Sequence, residues 1–93
     1  MRFNRMAYGA TIKQLRINKG LTQEQLAEKM HVTGTYIVKI ENNQRTGSIE
    51  LAVELADCFG VSLDHLLLGR EYSDKKQAFQ TVIAFLSELE ADL

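Results

Sequence analysis

Two short amphipathic segments separated by a turn of about three residues constrain this chain more than any other feature. Residues 21–30 read LTQEQLAEKM and residues 33–43 read TGTYIVKIENN. In the first segment Thr22 is placed to cap a helix, and Gln25, three positions on, completes a capping box in which each residue satisfies the other's backbone N–H. Leu26, Ala27 and Met30 then fall at helical spacing on one apolar face. Thr33 restarts the chain as a second N-cap, and Ile37 and Ile40 give the next helix a narrow stripe of its own. Ala27 is small, as a residue must be where two helices cross closely.

Periodicity alone would allow an ordinary αα-hairpin of a bundle. The two caps, the short turn and the polar cluster that follows favour a helix-turn-helix, whose second helix enters the DNA major groove. The surrounding residues carry a family resemblance: Ile12–Arg16, Lys19–Gln23, Leu26–Ala27, Tyr36–Ile37, Ile40–Asn42 and Gly60–Leu63 occur in order and without gaps. Over about Ala7 to Gly69 the chain resembles the Cro/CI-type, or XRE-type, helix-turn-helix family, the lambda-repressor-like DNA-binding domains. The resemblance implies an all-α fold of five helices. The residues beyond it predict an additional C-terminal amphipathic helix, so the chain divides into an N-terminal arm (1–6), the DNA-binding domain (7–69) and a C-terminal helical segment (70–93).

The periodicity predicts a first helix from about Ala7 to Asn18, ended at Gly20, and then the motif pair. After the polar loop 42–47, Ser48 caps a fourth helix with Leu51, Leu55, Ala56 and Phe59 inward, and Gly60 ends it. Ser62 caps a short fifth helix carrying Leu63, Leu66 and Leu67. In the sixth segment Phe79, Val82, Ile83, Leu86, Leu89 and Leu93 recur at three- and four-residue steps, with Ala78 and Phe85 widening the stripe. A stripe this broad must be buried, and Phe79, Val82, Ile83, Leu86 and Leu89 are read as a homodimer interface, since a two-fold dimer supplies paired half-sites. Packing on its own domain, or capture by a toxin or antagonist protein, are the other two readings of the stripe.

Net charge is −1, which looks wrong for a nucleic-acid binder until the chain is divided. Residues 1–48 hold eight basic and three acidic residues, a net of +5; residues 49–93 hold three basic and nine acidic, a net of −6. That asymmetry predicts a basic face for phosphate. The 93 residues leave room for one core. The sequence contains no membrane-length apolar run and no signal-peptide h-region, and Cys58 is its single cysteine. The expected compartment is therefore the cytoplasm, with no membrane partner and no disulfide. His31, His65, Cys58 and the carboxylates show no metal-ligand spacing, and no phosphate-binding glycine loop appears, so neither catalysis nor a cofactor is expected.

The family resemblance assigns roles residue by residue. Gln23 would contact phosphate and brace the recognition helix. Thr33, Gly34, Thr35 and Lys39 take its groove-facing positions, where Thr35 can meet a base edge or a thymine methyl and Lys39 a guanine or phosphate. Tyr36, Asn42, Asn43 and Arg45 are expected at the DNA backbone. Arg16 and Glu41 match a pair that the family often uses as a structural ion pair. Three residues depart from the pattern. His31 and Asn43 stand where glycine is common, which predicts left-handed backbone at both. Gly34 offers no side chain at a position that often reads a base, which predicts thin direct readout by Thr35 and Lys39, with DNA shape contributing.

Overall fold

The computed structural model describes residues 5–69 and 75–88, with side chains at all of these but 5, 75–79 and 81. Among the described residues there are six helices and no strand: α1 (Arg5–Asn18), α2 (Gln23–Met30), α3 (Gly34–Glu41), α4 (Ile49–Phe59), α5 (Leu63–Leu68) and α6 (Lys75–Glu88). The fold is the expected all-α one, with α1 starting two residues earlier than its apolar pattern implies.

Short helices need their ends satisfied, and side chains do this at four starts. Thr22 Oγ1 accepts from the Gln25 N–H at 3.0 Å while Gln25 Oε1 accepts from the Thr22 N–H at 2.8 Å. Thr33, Ser48 and Ser62 accept in turn from the N–H groups of Tyr36, Leu51 and His65. The C-terminal ends of α1 to α4 share one solution. A residue with positive φ reverses the chain, its N–H bonds to a carbonyl three residues back, and the following N–H bonds to one five residues back. Gly20 and Gly60 do this for α1 and α4, His31 (φ 60°) for α2 and Asn43 (φ 68°) for α3. Both non-glycine positions predicted to be left-handed are so.

The core is drawn from every helix. Tyr8 and Ile12 of α1, Leu26 and Met30 of α2, Ile37 and Ile40 of α3, Leu51 and Leu55 of α4, and Leu66 and Leu67 of α5 are all buried. Cys58 is partly buried and packs against this cluster. Helix α1 lies against α3, α4 and α5, and α6 against α5. Where α1 crosses the end of α3 there is no room for a side chain: a Cβ on Gly9 would lie 2.6 Å from the Ile40 carbonyl oxygen.

Helix α6 is oriented differently from its sequence stripe. Phe85, expected at the stripe's margin, is fully buried and meets Tyr8 edge-to-face with ring centroids 5.5 Å apart. Val82 and Ala84 pack beside it against the core. Val82, read from the sequence as part of a dimer face, is partly buried against its own core. Ile83 and Leu86 remain 48% and 49% exposed. Leu89 and the side chain of Phe79 lie outside the described residues, as do the arm residues 1–4 and the connector 70–74. No helix among the described residues is long and apolar enough to cross a membrane.

Candidate nucleic-acid interface

One buried carboxylate fixes α3 relative to α1 and α2. Glu41, the last residue of α3, accepts from Arg16 Nε at 2.7 Å through Oε2 and from Arg16 Nη2 at 3.1 Å through Oε1. Arg16 Nη1 also donates to the Leu21 carbonyl at 2.7 Å, tying the guanidinium to the chain that enters α2. Gln23 completes the network, its Nε2 donating to Glu41 Oε1 at 3.0 Å. Three hydrogen bonds thus hold a single carboxylate, from the last turn of α1 and the first residue of α2. Arg16 and Glu41 form the structural pair that the resemblance implies, and Gln23 braces α3 through this carboxylate.

With Ile37, Ile40 and Glu41 inward, a helix of 3.6 residues per turn turns Thr35, Val38, Lys39 and Asn42 outward. Thr35 and Asn42 are exposed and Lys39 is partly buried. Between α2 and α3 lies an open cleft lined by Gln23, Glu24, Glu28, Gly34, Thr35 and Val38 among others. The structure thus places Thr35, Lys39 and Asn42 on one outward face of α3, with Gln23 and Gly34 lining the cleft beside it.

The other expected site residues are engaged with the fold. Thr33 caps α3 with its hydroxyl, as its N-cap position predicts. Tyr36 is partly buried against the core, its hydroxyl 3.4 Å from where a Cβ on Gly47 would stand. Asn43 turns Oδ1 inward, 2.7 Å from the Cβ position of Gly9, because its left-handed backbone swings the side chain under α1. Arg45 follows α3 in the loop, half-buried, with its N–H donating to the Lys39 carbonyl. The cleft is also lined by Val38 and Glu24, neither of which the sequence singles out. A helical wheel through Ile37 and Ile40 places Val38 outward, whereas nothing local marks Glu24.

The same architecture recurs in known proteins. The family described as "Helix-turn-helix" matches residues 12–66, more than half of the chain. The HTH-type transcriptional activator BcrR of Enterococcus faecalis is 39% identical over 66 residues, covering 71% of this chain; the chain spans 32% of BcrR's length. The restriction-modification controller protein C.AhdI from Aeromonas hydrophila is 30% identical with a TM-score of 0.61, over 66% of this chain and 92% of that one. SinR, a master regulator for biofilm formation solved in complex with DNA, is 38% identical with a TM-score of 0.60, over 64% of this chain and 97% of that one. Sequence match, capped helix pair and surrounding five-helix core coincide over the same residues, and the chain belongs to the XRE-type, Cro/CI-like helix-turn-helix family.

Proposed function

We propose that this protein is a sequence-specific, double-stranded-DNA-binding transcriptional regulator that acts as a homodimeric repressor. The observation that carries the reading is the braced α3, whose outward face holds Thr35, Val38, Lys39 and Asn42 and little else. A rigid helix presenting small, polar and basic side chains fits the major groove, where a hydroxyl, a methyl and an ammonium each find base-edge partners. Gln23, Asn42 and Arg45 flank it at positions suited to phosphate, and the basic excess of residues 1–48 supplies the counter-charge. SinR's structure with DNA and BcrR's name as a transcriptional activator support a regulator that binds DNA.

Dimerisation is assigned to α6, where Ile83 and Leu86 stay half-exposed on a helix that packs inward through Val82, Ala84 and Phe85. A two-fold pair would set two α3 helices into successive major grooves, about 34 Å apart. Repression requires no more than occupancy of a promoter by such a pair. The test is selection of duplexes from a randomised library, followed by binding of the selected duplex across a salt series. A palindromic motif, an affinity that falls steeply with salt and a weakened Lys39→Ala variant are expected. A reporter carrying the motif in its promoter should be silenced by the protein, and activation would overturn the repressor reading. No enriched motif would overturn sequence-specific binding itself.

A further inference from the structure

Helix α3 opens on Gly34, so its first turn carries no side chain at the place nearest α2. A Cβ built on Gly34 would meet one atom outside its own helix and chain neighbours within 4 Å, the Cγ of Glu24 at 3.5 Å. Glu24 is exposed, lines the cleft beside Gly34, Thr35 and Val38, and belongs to the first turn of α2. Its neighbour Gln23 is already committed to Glu41. The cleft beside Gly34 is thus lined by the side chain of an acidic residue from the adjacent helix.

We propose that Glu24 reads a base from this position, its carboxylate accepting a hydrogen bond from the exocyclic amino group of cytosine in the major groove. The inference rests on DNA being the ligand of α3. A carboxylate has only acceptors to offer, and cytosine N4 is a pure donor at the major-groove edge. Thymine O4 and guanine O6 and N7 are acceptors that repel it, and adenine sets an N7 acceptor beside its amino group. Negative charge beside phosphates also weakens every other complex, so Glu24 discriminates by penalty as well as by attraction. Glu24 comes from α2, so a glycine can stand at the start of α3 without leaving that position of the groove unread.

The competing role for Glu24 is stabilisation of α2 through the positive end of its dipole. Three proteins separate the two roles: the parent chain, Glu24→Ala and Glu24→Gln, each used to select duplexes from the same randomised library, with a thermal melt of each. The parent should enrich one cytosine column per half-site. Glu24→Ala should flatten that column, reducing its preference about fivefold or more and leaving the other columns intact. Glu24→Gln should turn the same column towards adenine, which pairs with an amide through N6 and N7. Identical columns in all three proteins, or a uniform gain in affinity for every sequence, would overturn the proposal whatever the melts show. If the parent enriches no motif at all, the DNA-binding reading falls first and this inference with it.

Discussion

Arg16 and Glu41 stand 25 residues apart in the chain, yet two hydrogen bonds join them, with side chains only 10% and 1% exposed. The guanidinium comes from α1 and the carboxylate from the last residue of α3. Charge is rarely buried this completely unless both partners are saturated. Here Leu21 accepts one further bond from Arg16 and Gln23 donates one further bond to Glu41. The pair therefore acts as a pin at the end of α3, fixing that helix against α1 and α2.

Removing one side of the pin should cost more than removing both. Glu41→Ala leaves a buried guanidinium without its counter-ion, a loss of about 3–5 kcal/mol. In a domain of this size that lowers the melting midpoint by roughly 15 °C or more. Replacing both partners with Arg16→Met and Glu41→Leu removes the uncompensated charge and should recover most of the midpoint. Circular dichroism melts of the three proteins check this. A Glu41→Ala melt unchanged from the parent would contradict the pin.

His31, which ends α2, is held left-handed at φ 60° and ψ 40°. It is exposed, and its backbone N–H and that of Val32 close α2 on Glu28 and Ala27. That geometry is intrinsically costly for histidine and free for glycine, whereas asparagine tolerates it. His31→Gly should therefore stabilise the chain by about 0.5–1 kcal/mol after the greater unfolded-state entropy of glycine is subtracted. Asn43→Gly should gain less, or lose. Urea midpoints measured side by side would show the order, and equal responses at the two positions would contradict it.

What the sequence could disclose divides along the same physical line. Caps, left-handed ends and the motif helices are local: Thr22 with Gln25, or His31 in a glycine's place, announce themselves within a few residues. The Arg16–Glu41 pair spans α1 and α3 and was legible only through family resemblance. Non-local packing was illegible. Nothing around Gly9 says that the Ile40 carbonyl will lie against it. Nothing in the stripe of α6 says that Phe85, rather than the aliphatic line, will find Tyr8. The candidate site followed the same rule: Thr35, Lys39 and Asn42 came from the family resemblance, whereas the closeness of Glu24 to Gly34 emerges only once α2 and α3 are set side by side.

Tyr8 makes stability depend on alkaline pH. Its ring is fully buried, and burial first, with Tyr36 second, pushes its hydroxyl well above the usual tyrosine range near 10. The folded chain keeps this proton over a range in which the unfolded chain releases it. The contribution to stability is therefore complete below about pH 10 and is lost as the pH rises through and beyond that value. Tyr8→Phe keeps the edge-to-face partner of Phe85 and removes the titrating group. Its urea midpoint should fall less steeply than the parent's between about pH 9 and pH 11.5. Parallel slopes would mean that Tyr8 does not control the alkaline limb.

Helix α6 offers two faces with opposite expected responses. Phe85 fills the space beside Tyr8, so Phe85→Ala should open a cavity and cost about 3–5 kcal/mol. Ile83 and Leu86 are half-exposed, so the double variant Ile83→Lys/Leu86→Lys should melt within a few degrees of the parent at low protein concentration, because surface changes of this kind cost about 0.5 kcal/mol or less each. If α6 joins two subunits, the same double variant should shift sedimentation from a dimer to a monomer. It should also weaken binding to a two-half-site duplex far more than to a single half-site, because two linked recognition helices bind with a high effective concentration and one does not. A parent chain that sediments as a monomer at the concentrations used for DNA binding would remove α6 from dimerisation. A double variant that remains dimeric would move the interface to another face of the domain.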